Sequence, residues 1–200
     1  MFDITLINKN KSNCIILIHG LFSNPGFWLK YLRLFKGSCL VLVSVNYDRL
    51  PDIDVCIGDL KRSLSCIIDS KLKNKLIAHS LGTYVALKLG TIPNVESYHI
   101  CPVYLAKRKN RKMFVDFINE MQPILSHHEI YETLQSVNSV LNFEKKLVFN
   151  AYKTQLRSYI PKRDLFFEYS LTGSEINFDG DHFDVYSALK EISQNSEEVL

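Results

Sequence analysis

One serine in this chain stands where its hydroxyl could act as a nucleophile. Ser80 lies between two small residues, Ala78 and Gly82, after the apolar run Lys75–Ile77 and before the helical pattern of Thr83–Leu89. A serine at a sharp strand-to-helix turn points its hydroxyl out of the backbone, and small neighbours let the strand and the helix approach closely. The pattern predicts a nucleophilic serine, with an ordinary helix N-cap as the alternative.

A neutral serine hydroxyl needs a base, and a histidine far downstream could supply it. His182 lies in the loop Asp179–Phe183, directly after Glu175–Phe178, which has the pattern of a last strand. An imidazole can accept the serine proton during attack and later return it to the leaving group. We expect His182 to be that base, with a surface-loop histidine as the alternative.

Acyl transfer also needs two donors for the oxyanion of the tetrahedral intermediate. The apolar strand Cys14–Ile18 runs directly into the pair His19–Gly20. We expect the backbone N–H of Leu21, just after this pair, and that of Leu81, just after the serine, to form the oxyanion hole. His19 itself is expected to hold the loop through hydrogen bonds.

A strand and a His-Gly loop, then Ser80, then His182, occur in the order found in the α/β-hydrolase superfamily, which this chain resembles from about residue 15 to about residue 189. The resemblance implies an α/β fold with a mostly parallel central sheet, helices on both faces, a trimmed N-terminal edge and a helical lid insertion. More narrowly, Leu147–Ala151 and Gly180–Phe183 are similar to the corresponding strand and histidine loop of thioesterases from polyketide and non-ribosomal peptide synthesis. Small carboxylesterases, including pimeloyl-carrier methyl ester esterases, share the same landmarks.

The acid that would orient the histidine has no obvious position in the sequence. The superfamily holds it after the strand predicted at Leu147–Ala151, where Thr154 stands, or after the preceding strand, where Cys101 stands. Asp164 is the nearest carboxylate between that predicted strand and His182, but its Pro-Lys-Arg-Asp setting favours a solvated turn. The acid therefore stays unassigned, with Asp164 as a candidate and a serine–histidine dyad as the alternative.

The elements that must position these groups alternate between strands and helices. Such alternation predicts a parallel sheet with active groups at the carboxyl ends of its strands. Strand patterns occupy Phe2–Ile7, Cys14–Ile18, Cys39–Val45, Lys75–Ile77 and Ser97–Ile100, and helical patterns occupy Phe27–Phe35 and Asp52–Asp69.

The alternation breaks down over about residues 102–146. Apolar residues there follow helical spacing, among them Phe114, Ile118 and Leu134. At this point of the α/β-hydrolase fold an insertion is a lid over the active site, and the alternative is that these residues only pack onto the sheet. We expect one domain over 1–200 that includes this lid, and a substrate with an acyl or otherwise apolar portion.

Composition agrees with a single compact enzyme and gives no indication of a protein that binds nucleic acid or a membrane surface. The chain has 200 residues, 46% of them hydrophobic, and a formal net charge of only +3, so nothing global indicates a nucleic-acid or membrane-surface partner. Its five cysteines are scattered and odd in number, which indicates buried thiols in a reducing compartment. With no leader-like start and no apolar run of spanning length, a cytoplasmic location is expected.

His127–His128 has no second pair at ligand spacing, so neither a metal nor a cofactor is expected.

One dense basic cluster, Lys107–Lys112, lies at the start of the predicted lid. Acyl carrier proteins are acidic, so Lys107, Arg108, Lys109 and Arg111 are candidates for docking a carrier-bound substrate, with a solvated loop as the alternative. These features together predict a serine hydrolase that cleaves an acyl thioester or carboxylic ester through an acyl-enzyme, thioesterase-like and acting on an acyl carrier or CoA substrate. The alternatives are a small-molecule carboxylesterase and a catalytically inactive, hydrolase-like binding protein.

Overall fold

The computed structural model describes residues 1–11, 13–69, 71–121, 126, 128–135, 156–171 and 173–194. Nine strands and five α-helices are found in these residues, together with two 3-10 helices, Pro25–Phe35 and Tyr47–Asp52. The strands are β1 (Phe2–Ile7), β2 (Cys14–Ile18), β3 (Cys39–Val45), β4 (Asn74–His79), β5 (Val95–Ile100), β6 (Ala106–Arg108), β7 (Leu156–Pro161), β8 (Phe167–Tyr169) and β9 (Ile176–Phe178). The α-helices are α1 (Ile53–Ile67), α2 (Gly82–Leu89), α3 (Arg111–Met121), α4 (128–135) and α5 (Tyr186–Gln194).

Seven strands form one sheet in the order β1-β3-β2-β4-β5-β7-β9. The edge strand β1 runs antiparallel to β3, and every other neighbouring pair in this sheet is parallel. The predicted mostly parallel α/β sheet is therefore confirmed. Parallel strands bring their carboxyl ends to one edge, and the loops after β2, β4, β7 and β9 meet there.

Helices cover both faces of the sheet, as expected. The central strands β2 and β3 are almost wholly buried, which explains their continuous apolar sequences. Helices α1 and α2 pack on one face, where Leu64 is fully buried, and the 3-10 helix Pro25–Phe35 and α5 pack on the other, where Trp28 is fully buried. Burying one such side chain stabilises the fold by about 1.5–3 kcal/mol.

The helices α3 and α4 belong to a third apolar cluster, separate from the two that cover the sheet. Phe114 and Ile118 of α3 and Leu134 of α4 pack with Phe22 and Phe183, which lie on the loops after β2 and β9. These helices therefore contact loops at the carboxyl edge of the sheet rather than its flat faces. The predicted lid over 102–146 extends beyond the described residues, and its role as a lid stays a prediction.

The structure refines one helical segment that the sequence pattern predicts. Phe27–Phe35 has helical spacing but lies in a 3-10 helix, and the strand predicted at Leu147–Ala151 lies outside the described residues. The strand that pairs with β5 is β7, later in the sequence, with Ile100 opposite Tyr159. Among the described residues no helix is both long and apolar enough to span a bilayer.

Candidate active site

Ser80 occupies the turn between β4 and α2 in a conformation that few residues other than glycine adopt. Its φ is 50°, and its N–H donates to the carbonyl of Ile100 at the end of β5 over 2.9 Å. A Cβ at Gly82 would lie 2.5 Å from the carbonyl oxygen of His19, so the close approach of α2 to the loop after β2 requires glycine. The strand-to-helix turn predicted from the small residues is present, for the predicted reason.

His182 lies beside this serine. Its Nε2 is 3.0 Å from Ser80 Oγ, and the histidine is 3% exposed. The loop after β9 is fixed by Asp181, whose carboxylate accepts the N–H groups of Phe183 and Asp184 over 2.7 and 2.8 Å. Asp181 therefore shapes the histidine loop and does not pair with the imidazole in this structure.

Asp164 fills the position of the acid, and the expectation of a solvated turn there is wrong. Its carboxylate is buried, with the residue 6% exposed, and His182 Nδ1 donates to Asp164 Oδ2 over 3.1 Å. A carboxylate on Nδ1 fixes the tautomer in which Nε2 faces the serine. The structure thus assembles a continuous hydrogen-bonded chain from Ser80 through His182 to Asp164.

The sequence interpretation left the acid unassigned, with Asp164 only as a candidate, because it expected the preceding strand at Leu147–Ala151, which lies outside the described residues. Asp164 follows the end of β7 by three residues, which is the spacing that the resemblance leads one to expect after this strand. The earlier apolar run Leu147–Ala151 matched the strand pattern equally well. Only the pairing of β7 with β5 distinguishes the two.

The Asp164 carboxylate accepts hydrogen bonds from three groups in addition to His182. Its Oδ1 accepts the N–H groups of Phe166 and Phe167 over 2.9 and 3.0 Å, and its Oδ2 accepts the hydroxyl of Tyr169 over 2.7 Å. Burial alone would raise the pKa of Asp164. The hydrogen bond and the charge of His182, together with the hydrogen bonds from Tyr169 and Phe166, outweigh burial and lower this pKa. The carboxylate therefore stays ionised although it is buried.

Tyr169 is a residue that the sequence analysis did not single out, since one tyrosine in an aromatic stretch carries no local signal. Its hydroxyl also lies 3.3 Å from His182 Nδ1 and contacts the thiol of Cys101. Burial, the neighbouring thiol and the Asp164 charge raise the pKa of Tyr169 far above its ordinary value, so its hydroxyl remains a donor. Tyr169 is presented to the site by β8, which pairs with β6.

Two further histidines support the site structurally. His79 Nε2 donates to the carbonyl of His182 over 2.7 Å, and its ring stacks on Phe27 at 4.7 Å. Burial, and then the proximity of His182, lower the pKa of His79 to about 3, so it is neutral. His19 Nδ1 donates to the carbonyl of Gly20 over 2.8 Å and its Nε2 accepts the N–H of Val45 over 3.0 Å, which ties the loop after β2 to β3.

The two backbone groups predicted as oxyanion donors flank the serine. Leu81 directly follows Ser80, and the loop carrying Leu21 is so close to the turn that a Cβ on Gly20 would lie 2.9 Å from Ser80 Cβ. Neither the Leu21 nor the Leu81 N–H has a hydrogen-bond partner among the described residues. Both residues line the cavity in front of the serine.

A cavity of about 600 Å³ opens onto Ser80 and His182. Most of its wall is apolar and aromatic, contributed by the loops after β2 and β9 and by α3 and α4. The apolar wall residues include Phe22, Phe27, Val103, Phe114, Ile118, Met121, Leu134, Phe167 and Phe183. The size and lining suit an acyl group.

The side chains of the basic cluster Lys107–Lys112 lie in different surroundings. Lys109 Nζ donates to the backbone carbonyl of Asp164 over 2.9 Å, whereas Lys112 pairs with Asp116 over 2.6 Å on the exposed side of α3. Lys107, Arg108 and Arg111 contribute to the wall of the cavity. The cluster is therefore not a fully solvated loop, and its role in docking a carrier stays a prediction.

One group of metal-ligand types comes together in the described part of the chain. Potential ligand atoms of Cys101, Asp164 and His182 lie within 4.8 Å of one another, all buried. The same atoms are already engaged: His182 and Tyr169 donate to Asp164, and burial followed by the Asp164 charge raises the pKa of Cys101, which keeps the thiol protonated. A cysteine binds a metal ion as the thiolate, whereas the Cys101 thiol is protonated. The arrangement therefore fits a group of hydrogen-bonded side chains better than a metal site.

Comparison with solved structures identifies the fold. The thioesterase domain from the curacin biosynthetic pathway superposes with a TM-score of 0.61 at 10% identity, covering 97% of this chain and 94% of the other. A putative aryl esterase from Burkholderia cenocepacia gives 0.62 at 12% identity, with 98% and 92% covered. A type II thioesterase from the yersiniabactin NRPS/PKS pathway gives 0.54 at 15% identity, with 96% of each covered. An α/β hydrolase fold protein from Burkholderia ambifaria is a further structural neighbour. The chain therefore has the α/β-hydrolase fold.

Sequence comparison adds nothing to this assignment. No protein-family model matches the chain, and no curated protein matches it. At these low identities the structural likeness establishes the fold, and activity must be argued from the site.

Proposed function

We propose that this protein is a serine hydrolase that cleaves an acyl ester or thioester through a covalent acyl-enzyme. The observation that carries the proposal is the continuous hydrogen-bonded chain from Ser80 Oγ to His182 Nε2, 3.0 Å, and from His182 Nδ1 to Asp164 Oδ2, 3.1 Å. Nucleophile, base and orienting acid are recognised by this geometry, whatever their order in the sequence.

In the proposed reaction Ser80 Oγ attacks the acyl carbonyl carbon while its proton passes to His182 Nε2. Asp164 holds the Nδ1–H and stabilises the imidazolium that forms. The N–H groups of Leu21 and Leu81 receive the oxyanion, and loss of one such donor costs about 3 kcal/mol of transition-state stabilisation. His182 then protonates the departing alcohol or thiol. In the second half, water attacks the acyl carbonyl while its proton passes to His182 Nε2, and His182 returns that proton to Ser80 Oγ as the acyl–serine bond breaks and the carboxylic acid leaves.

The substrate that we propose is a thioester on an acyl carrier or CoA, with a small carboxylic ester as the second candidate. The apolar cavity supports an acyl portion in either case. Two of the structural neighbours are thioesterases of biosynthetic pathways, and another is a putative aryl esterase. Lys107, which is exposed and lines the cavity, would meet an acidic carrier there.

Covalent labelling tests the chemistry. We expect a fluorophosphonate probe to label the wild-type protein and the surface control Ser193→Ala but not Ser80→Ala, with all three showing the same thermal unfolding midpoint. Hydrolysis of p-nitrophenyl esters should follow the same pattern. A wild-type protein that folds but is neither labelled nor active on acyl-carrier, acyl-CoA and p-nitrophenyl substrates would instead be a hydrolase-like binding protein.

Docking of a carrier is tested separately at Lys107, which is exposed and pairs in register with Glu168. We expect Lys107→Glu to raise KM for an acyl-carrier protein and to leave KM for a matching p-nitrophenyl ester unchanged, because a small neutral ester has no charge for this exposed lysine to attract. Added salt should weaken the carrier reaction in the same way, since exposed charges are screened over about 8 Å at physiological ionic strength. Equal effects on both substrates would favour the small-ester hydrolase.

A further inference from the structure

Among the described residues, the cavity in front of Ser80 is lined by cationic but not by acidic side chains. Three of its wall residues are cationic, Lys107, Arg108 and Arg111, and among the described residues that line it none is Asp or Glu. Its remaining wall is largely apolar, and low-dielectric walls strengthen the field of the charges that they enclose. An active-site cavity for a purely neutral acyl ester has no need of these cations.

The register of β6 with β8 separates the three cations. Lys107 lies opposite Glu168 and Arg108 lies opposite Phe167, and successive side chains of a strand point to opposite faces. Phe167 contacts the His182 ring at 4.6 Å, so the face of this small sheet that carries Arg108 is the face turned to the catalytic groups. Lys107 and Glu168 share the opposite face of this small sheet, and Lys107 is exposed.

Arg108 and Arg111 are close enough to affect each other. Burial first, and then the charge of Arg111, lower the pKa of Arg108 from its ordinary value, although a guanidinium remains protonated. The Arg111 guanidinium carbon lies 4.5 Å from the centre of the Tyr131 ring, which places it over α4. Two like charges at one cavity wall repel each other, and a bound anion would relieve that repulsion.

We infer that Arg108 and Arg111 form an anion-binding subsite within the catalytic cavity, so that the natural substrate carries a carboxylate or phosphate group. Two planar guanidinium groups suit such oxyanions because each can donate two parallel hydrogen bonds. The inference rests on the proposed hydrolase function and narrows its substrate class. The anion has two possible sources, the far end of the acyl chain or the leaving group.

Two matched pairs of small substrates separate these sources without any carrier protein. The first pair is p-nitrophenyl pentanoate and mono-p-nitrophenyl glutarate, which differ in a terminal carboxylate on the acyl chain. The second pair is the butyryl thioesters of pantetheine and of 4′-phosphopantetheine, which differ in one phosphate of the leaving group. We expect wild-type kcat/KM to favour the anionic member of at least one pair by about tenfold or more, as befits charge-assisted hydrogen bonds.

The variants Arg108→Gln and Arg111→Gln should each remove most of that preference. Lys112→Gln is the matched control, because it deletes one positive charge from the same run at an exposed position that does not line the cavity. Arg108→Lys keeps the charge but loses the planar fork, so it should retain only part of the preference. Each preference is a ratio between two substrates on the same protein sample, which removes any effect of a variant on folding yield.

Binding to Ser80→Ala separates this inference from the proposed hydrolysis. Calorimetric titration of Ser80→Ala should show tighter binding of the preferred anionic compound than of its neutral partner, and addition of Arg108→Gln should abolish the difference. Anion-selective binding without wild-type turnover would overturn the proposed function and keep the subsite. Turnover of neutral and anionic members at equal kcat/KM in both pairs, or a preference that survives both arginine variants, would overturn the subsite and keep the hydrolase.

Discussion

The hydroxyl of Tyr169 donates a hydrogen bond to Asp164 Oδ2 over 2.7 Å, on the same carboxylate oxygen that accepts from His182. The tyrosine thereby adds a fourth group to the chain that begins at Ser80. Because this donor helps to hold the pKa of Asp164 down, its removal should change how the site responds to pH.

We therefore expect Tyr169→Phe to lower kcat/KM by roughly tenfold and to move the acidic limb of its pH profile to higher pH. Without the tyrosine the pKa of Asp164 rises, so its carboxylate is protonated, and the orienting charge lost, at a higher pH than in the wild type. The control is Tyr98→Phe, which also loses a hydrogen bond to a carboxylate, Glu96, but away from the site. A uniform loss of activity with an unmoved profile would limit Tyr169 to a packing role.

Asp164→Asn should reduce kcat by about 10⁴-fold with little change in KM. The amide can donate to His182 Nδ1 and so favours the tautomer whose Nε2 proton faces the serine, which cannot then accept the serine proton. Steady-state kinetics on a p-nitrophenyl ester measures the effect. Asp179→Asn, an exposed partner of Lys162, serves as the control and should retain activity. Near-wild-type turnover of Asp164→Asn would mean that the protein works as a serine–histidine dyad.

A carboxylate introduced at residue 101 should partly replace the missing acid. The Cys101 thiol lies within 4.8 Å of the ligand atoms of both Asp164 and His182, at the end of β5. We expect Cys101→Asp to raise kcat of the Asp164→Ala variant by at least about tenfold, because the new carboxylate can accept the Nδ1–H of His182. Cys101→Asn in the same background has the same size but no charge, and it should give no rescue.

Two glycine substitutions with opposite expected signs test the packing of the serine turn. Gly82→Ala should lower both kcat and the unfolding midpoint, since its Cβ would press on the backbone carbonyls of Ile18 and His19 at 2.8 and 2.5 Å. Gly58→Ala lies in α1 with nothing within 4 Å of the new Cβ, so it should stabilise the protein by about 0.5–1 kcal/mol. Thermal unfolding and ester hydrolysis of the two variants provide the measurement. Equal stability of both variants would contradict the close approach of α2 to the loop after β2.

The sequence by itself determined the parts of this protein that depend on neighbouring residues. The strand-turn-helix around Ser80 follows from small residues at fixed spacing, and strands β1, β2 and β3 appear where the apolar patterns predict them. His182 could be proposed because it follows a strand near the end of the chain. Such signals lie within a few residues of each other, so they can be recognised without knowledge of the whole fold.

Tertiary structure decided which carboxylate, Asp164, lies beside His182 and which hydroxyl, that of Tyr169, donates to this carboxylate. The run Leu147–Ala151 and the strand β7 look alike as local patterns, and only the pairing of β7 with β5 places Asp164 beside His182. Tyr169 reaches the carboxylate because β8 pairs with β6, two three-residue strands far apart in the sequence. Strand pairing is a non-local choice that depends on the packing of the complete sheet, and therefore no short stretch of sequence contained it.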